Sequence, residues 1–316
     1  MRMLHALIAA VVLAAGAPAP AQTGETIKII VPFAAGGPTD QIARIIATPL
    51  GAILGKTVVV DNRGGAGGVV GVGLAAKAAP DGATLLLTTS SLVITAGTVH
   101  NLPYNPRKDV EPIYLLGEVQ TLLAVRPTLG VNTLAELVAK ARGPNKLNYG
   151  STGVGGTMHI GAELFAKAAK VSMVHVPYRG AAPALVDLMA GTIDLVNADV
   201  PVLRPYVKDG RLKALAIYDT KRSPLLPDVP TAAEAGLPAL QMSNWYGVLA
   251  PAGMAPELKK KYENALDQVV HQPEVAARLA EAGFIGPRDS QAFRAKLDAD
   301  FEHWIPWLKE AGIQSN

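Results

Sequence analysis

The chain has no cysteine in 316 residues. Neither a disulfide framework nor a thiolate metal site is available, so stability has to come from a packed core. Charge is scarce too: 17% of residues are charged, and 29 basic against 26 acidic residues leave a formal net charge of +3. Lys and Arg form no run of the kind a nucleic-acid-binding stripe requires, which sets that class aside. After the N-terminus no stretch reaches the ~18 uninterrupted apolar residues of a membrane-spanning helix. What the chain does have is 49% hydrophobic residues, with 31 Gly and 24 Pro spread along its length. That excludes disorder and describes a globular α/β protein. Its length suits about two domains of ~100–200 residues each.

Residues 1–21 read differently. Arg2 lies in a short polar start, an apolar run extends from Ala6 to Ala15, and Ala19-Pro20-Ala21 supplies a small-residue cleavage pattern. This is the form of a secretory signal peptide, and the run of ~10–15 residues is too short to cross a ~30 Å hydrocarbon core. The expectation is an exported, soluble protein beginning near Gln22, with a net charge of +2 once Arg2 is removed (28 basic minus 26 acidic).

Along the rest of the chain, short β-rich runs alternate with helical patterns, which predicts parallel sheets built from strand–loop–helix units. Strands are expected at 27–31, 57–60, 84–88, 121–125, 147–149, 173–176, 193–196, 212–217 and 246–249. Ile42, Ile45, Ile46, Leu50, Ile53 and Leu54 form one apolar helix face, with Thr39 as its expected cap. Pro183 and Gly191 bracket another helix in the usual order of proline start and glycine stop. From Glu257 onward the pattern becomes helical, with amphipathic stretches at 257–271 and 290–310 that should wrap a sheet made earlier.

Several glycine patterns invite cofactor readings that their context refuses. Gly71-Val72-Gly73-Leu74-Ala75-Ala76 matches a dinucleotide fingerprint, but it follows a long loop and no acid lies at the ribose distance. The segment 51–57 is one residue short of a phosphate-binding loop and ends a helix where that loop opens one. Tyr149-Gly150-Ser151-Thr152-Gly153 lacks the spacing of a nucleophile elbow. No histidines pair at ligand spacing, and His159 with Glu163, four apart, read as a polar helix face. No cofactor, metal or catalytic group is expected.

One unit recurs. VPFAAGGP (31–38) and VPYRGAAP (176–183) share V-P-aromatic, two variable residues, two small residues and a proline, each between a strand and a helix. A third strand–loop–helix, GSTGVGGT (150–157), adds hydroxyls. Small residues let a ligand approach free N–H groups at a helix start, which carries roughly half a positive charge and binds anions without Lys or Arg. Tight turns use the same residues, so one such loop says little; three of this composition point to anion binding.

VPFAAGGPTDQIAR (31–44), DNRGGAGG (61–68), PDGATLLLTT (80–89), YGSTGVGGTMH (149–159), HVPYRGAAPA (175–184), RSPLLPDVPTAAEAG (222–236) and WYGVLAPAG (245–253) together resemble the successive signature segments of one family. It is the Bug, or TctC-like, family of periplasmic solute receptors of tripartite tricarboxylate transporters. The resemblance runs from about Thr26 to the C-terminus. The chain departs from the family after the third strand, where Thr95-Ala96-Gly97-Thr98-Val99 stands in place of an Asn-Pro-x-Leu-Tyr-like stretch.

The resemblance implies an α/β, two-lobe periplasmic-binding-protein (type II-like) fold with a hinge and an interdomain cleft. It implies lobes at 23–121 plus 246–316 and at 122–245, crossed by strands at 121–125 and 244–249. One cleft wall would carry Phe33, Gly36, Gly37, Pro38, Thr39 and Asp40 with Ser90 and Ser91. The other would carry Ser151, Thr152, Gly156, Thr157, Tyr178, Arg179, Gly180 and Ala181. Backbone N–H groups of 36–40 and 180–182 would take carboxylate oxygens, Ser151 and Thr157 would donate hydroxyls, and Phe33 and Tyr178 would cover the apolar middle of the solute. Asp40 would repel an anion; serving its own helix start ranks above tethering water or meeting an ammonium group. The expected function is a monomeric periplasmic receptor, not an enzyme, that delivers a small carboxylate to membrane permease subunits. The rival is a sensor module presenting its closed form to a signalling partner such as a sensor kinase.

Overall fold

The computed structural model describes residues 26–286 and 288–313. The expected signal peptide and cleavage point therefore lie outside the described residues. The first half starts with β1 (Thr26–Val31), α1 (Pro38–Leu54), β2 (Thr57–Asn62), a short turn of helix at Ala66–Gly68, α2 (Val69–Ala76), β3 (Thr84–Thr89) and α3 (Ser91–Thr98). The long strand β4 (Val110–Val125) leads to α4 (Leu134–Ala141), β5 (Asn148–Ser151), α5 (Thr157–Ala169), β6 (Val174–Pro177), α6 (Ala181–Ala190), β7 (Leu195–Asp199), α7 (Val200–Lys208) and β8 (Lys213–Ile217). The chain returns through β9 (Ser243–Pro251) to α8 (Pro256–His271), α9 (Pro273–Glu281), β10 (Phe284–Ile285) and α10 (Ser290–Glu310).

Both halves repeat one topology. In the first sheet β1 lies between β2 and β3, all three parallel; in the second β5 lies between β6 and β7, again parallel. A central first strand flanked by the next two creates a switch point, where loops at the carboxyl ends of the strands part and leave a crevice. The remaining pairs are antiparallel: β9 with β3 and β4, and β4 with β7, β8 and β10. The expected parallel sheets are thus mixed sheets, because β4 and β9 carry the chain out of the first half and back into it.

The single strand β4 serves both sheets. Residues from Val110 to Gln120 pair with β9, and from Thr121 to Val125 they pair with β7 and β8. Beside this junction the Thr121 hydroxyl donates to the Met242 carbonyl at 3.1 Å, one residue before β9 begins.

Three apolar clusters fill the layers. One packs α1, α8 and α9 on the first sheet through Ile42, Ile46, Leu50, Leu266 and Leu279. Another packs α6 and α7 on the second through Leu185, Leu188 and Leu203. The third runs unbroken across both halves, joining Leu86, Trp245 and Phe293 to Leu195 and Phe165. The expected C-terminal wrapping is present, since α10 docks through Phe293, which stacks edge-on against Trp245 at 5.1 Å, while Trp245 Nε1 donates to Asp300 at 2.7 Å.

Helix ends largely follow local chemistry. Gly55, left-handed at φ +66°, stops α1, and Gly191 stops α6. Thr39 is not a cap: Gly37 occupies that position with no side-chain bond, and the helix opens at Pro38, whose ring presets φ and removes an N–H that would be orphaned. Thr39 is instead a buried second residue of the helix.

Candidate functional site

The carboxyl ends of β1, β2 and β3 release the loops 32–37 and 63–65 and the start of α3. Those of β5, β6 and β7 release 152–156, 178–180 and the start of α7. The two sets approach each other at the 66–68 turn: a Cβ on Gly67 would lie 2.7 Å from the Val154 carbonyl, and one on Gly155 would lie 2.7 Å from Thr98 Oγ1. The loop 61–68, absent from the expected site residues, is therefore part of the meeting edge. Its glycine-rich run is the signal that marks it, and Gly64 packs on the Phe33 backbone with a built Cβ 3.3 Å away.

On the first wall, Phe33 is half-buried and its carbonyl accepts from Asn62 Nδ2 at 3.2 Å. Gly36 adopts φ +80°, a left-handed turn that aims its N–H at Asp40 Oδ2, 2.9 Å away. Gly37 N–H faces the Ala34 carbonyl at 3.4 Å. The expectation that residues 36–40 all offer N–H groups is corrected accordingly: Gly36 and Gly37 spend theirs within the turn and Pro38 has none. Thr39 and Asp40 retain the orphan amides of a helix start.

Asp40 is 3% exposed and accepts from Arg44 Nε at 3.0 Å as well as from Gly36. Burial opposes its charge, but Arg44, the Gly36 amide and the nearby Asn62 side chain outweigh that and hold its pKa below the usual carboxylate value. Oδ2 is thus committed to the turn, while Oδ1 is buried without a partner that meets hydrogen-bond geometry.

Ser90 and Ser91 are buried, at 1% and 2% exposure. Ser90 Oγ donates to Asn244 Oδ1 at 2.8 Å, and Ser91 Oγ accepts from Thr89 Oγ1 at 3.1 Å. The Asn244 amide in turn donates to both oxygens of Asp199, at 3.2 and 3.1 Å, and the Tyr246 phenol donates to Asp199 Oδ2. Ser90 therefore belongs to a buried polar chain joining the two sheets. Desolvation raises the Asp199 pKa to about 6, against the lowering effect of Tyr246 and Asn244.

On the second wall, Ser151 is fully buried. Its Oγ lies 2.5 Å from His175 Nε2, accepts the Gly153 N–H at 3.0 Å and lies 3.3 Å from the Gly153 carbonyl. The role expected for Ser151, donating to a solute, is corrected: its hydroxyl is used beneath the loop. Thr152 folds over Gly156, where a Cβ would meet Thr152 Oγ1 at 2.5 Å. Gly156 caps α5 and Thr157, half-buried, opens it with its amide left over. Tyr178 lays its ring by Gly150 and donates to Asp187 Oδ2 at 2.6 Å; desolvation and this carboxylate push its pKa up to about 12. Arg179 is exposed, Gly180 caps α6, and Ala181 opens it.

The two V-P-aromatic segments are not equivalent in the fold. The first follows the central strand β1 and the second follows β6, which flanks β5; Pro38 opens its helix, whereas Pro183 is third in α6. The topological counterpart of 32–37 is the loop 152–156. His159 and Glu163 are not a polar outer face either. His159 is 5% exposed, its ring lies 4.4 Å from that of His175, and Glu163 accepts from the Tyr149 phenol, whose ring stacks on His175 at 5.0 Å. Burial, with His175 adding, lowers the His159 pKa to about 3, and burial lowers that of His175. No group of three or more His, Asp or Glu suited to a metal occurs among the described residues.

Two α/β halves joined by crossing strands, with helix starts facing one shared edge, define a two-lobed periplasmic-type solute-binding protein. The chain belongs to the tripartite tricarboxylate transporter receptor family (TctC), whose model matches residues 42–312. It is 33% identical to protein BugT of Bordetella pertussis over 99% of both chains. Among solved structures it resembles periplasmic binding protein BugD, with 31% identity, TM-score 0.85 and 92% and 99% of the two chains covered. MatC of Rhodopseudomonas palustris, solved with malate, gives 32%, 0.85, 89% and 98%. A further R. palustris protein, solved with adipate, gives 32%, 0.86, 92% and 98%. The family and these neighbours are binding proteins, so the chain is a receptor and not an enzyme.

Proposed function

We propose that this protein closes around a small organic acid with at least one carboxylate and hands it to the membrane permease subunits of a tripartite transporter, acting as an exported periplasmic monomer. The observation that carries this reading is the close approach of the two halves at the 66–68 turn and the 152–156 loop, where a Cβ on Gly67 would lie 2.7 Å from the Val154 carbonyl, with the starts of α1, α5 and α6 each following the carboxyl end of a parallel strand. Free amides remain at Thr39, Asp40 and Thr157 and across 180–182. Hydrogen bonds to a charged group contribute about 1.5–3 kcal/mol each, enough for a few amides to hold a carboxylate without a lysine or arginine. Phe33 and Tyr178 flank its apolar part, with Thr152, the Thr157 hydroxyl and Arg179 at the rim.

The moving bodies in this reading are 26–120 with 243–313, and 121–242, pivoting where β4 changes sheets and where β9 begins. The relatives solved with malate and adipate support a dicarboxylate of four to six carbons. A thermal-shift screen of mono-, di- and tricarboxylates and aromatic acids tests it, because a ligand at 100 times its Kd adds about 2.7 kcal/mol to stability. The expected result is a clear upward shift with a dicarboxylate. A flat response to every acid rejects the reading.

A further inference from the structure

The loop 152–156 contains three glycines, Gly153, Gly155 and Gly156, and would sample many conformations if left alone. Two histidines, the buried His159 and the half-buried His175, hold it from beneath. His175 Nε2 lies 2.5 Å from Ser151 Oγ, which accepts the Gly153 N–H, and His159 Nδ1 accepts the Gly155 N–H at 3.4 Å. Tyr149, opposite His175 in the strand register, stacks on that ring and is itself tied to Glu163. The rings therefore have little freedom to turn, and each presents a nitrogen to the loop.

We propose that His175 and His159 are positioning residues of the solute site. They touch no solute; they fix the glycine loop so that the Thr157 amide at the start of α5 points into the cleft before a ligand arrives. Holding a loop in its bound form beforehand reduces the ordering cost of binding, so the histidines act on affinity as well as on folding. This inference rests on the solute-binding reading above. It also accounts for a buried histidine at 159, a position that packing alone would fill more simply with an apolar ring.

The test uses isosteres. Gln places a polar atom near the Nε2 position and Asn near Nδ1, whereas Phe keeps a stacking ring with no nitrogen. Amide hydrogen exchange is followed in the full mature chain, and affinity is measured by calorimetry with malate and adipate. In His175→Phe and His159→Phe, the Gly153 and Gly155 amides respectively should exchange at least tenfold faster while β7 amides such as Val196 keep their protection. Solute Kd should rise about tenfold. His175→Gln and His159→Asn should bring both back to within about threefold of wild type. If the Phe variants leave loop exchange or affinity unchanged, or if the Gln and Asn variants fail to restore them, the positioning role is wrong. If wild type binds and both Phe variants bind equally well, only this proposal falls. If wild type binds neither acid, the dicarboxylate reading falls, and the proposal falls with it.

Discussion

The Tyr246 phenol donates to the Asp199 carboxylate at 2.5 Å, and that bond crosses from β9 in the first sheet to the end of β7 in the second. Asp199 stands opposite Thr121, the first residue of β4 to pair with the second sheet, so the bond sits where the strand changes partners. Asp199 is buried at that point, and its two donors, Asn244 and Tyr246, both come from β9.

Asp199 should make stability depend on pH in an unusual direction. Its pKa is raised by burial to about 6, above the ~3.9 of an unfolded aspartate. The folded state therefore holds the proton more tightly, and this group's stabilising contribution is full below about pH 4, declines between about 4 and 6, and is gone above. Tyr246→Phe removes a hydrogen bond that lowers the pKa, so it should move the upper end of that window higher. Near neutral pH it should also cost about 1.5–3 kcal/mol. Urea unfolding of both proteins from pH 4 to 8 checks this; parallel curves with no change in the window would count against the assignment.

Gly247 and Phe293 should behave as a matched pair. A Cβ on Gly247 would lie 2.1 Å from Phe293 Cζ, and Phe293 is fully buried. Gly247→Ala should cost about 1–3 kcal/mol by overpacking. Combining it with Phe293→Leu should make the glycine substitution cheaper than it is alone. A double-mutant cycle by chemical unfolding reads the coupling, and strict additivity would mean that α10 does not press on β9 here.

Gly180 and Gly37 separate ligand approach from folding. Gly180 is extended, at φ 176°, and no heavy atom lies within 4 Å of a built Cβ, while at Gly37 the nearest is the Ala34 carbonyl at 3.3 Å. Gly180→Val should therefore keep stability within about 0.5 kcal/mol. It should nevertheless weaken solute binding at least about tenfold, or ~1.4 kcal/mol. Gly37→Val should weaken binding as much with some loss of stability. Calorimetry beside circular dichroism decides: unchanged affinity in a folded Gly180→Val protein means that the start of α6 does not meet the solute.

Export should leave a mature chain beginning at or near Gln22, because Ala19-Pro20-Ala21 closes an apolar run of signal-peptide length. Mass spectrometry of the periplasmic fraction reads this directly, and an intact Met1 in soluble cytosol contradicts it.

Much of the architecture was legible because it depends on near neighbours. The alternating start of β1 and the leucine run of β3 mark those strands, glycines close α1 and α6, and the amphipathic stretch 290–310 matches α10 to its last residue. The first part of β4 gives no strand pattern in the sequence because Glu111, Pro112, Gly117, Glu118 and Gln120 interrupt its apolar run, although the strand is buried along nearly all its length. A strand covered on both faces need not alternate. The Pro112 and Gly117 region also coincides with shifts in its register against β9, which a strand can absorb.

The amino-acid sequence by itself determined the alternation of strands and helices, the helix stops, and the small-residue loops that free N–H groups require, since each is governed by contacts within about four residues. Only the tertiary structure decided which polar groups remain available to a ligand. Ser90 meets Asn244 across 154 positions, and Ser151 meets His175 across 24. In the linear chain Ser151 reads as a cleft donor and Ser90 as part of a cleft wall, and both spend their hydroxyls inside. A hydroxyl has one proton to give, and the nearest well-aimed acceptor takes it; which acceptor is nearest is settled by how distant strands are laid side by side.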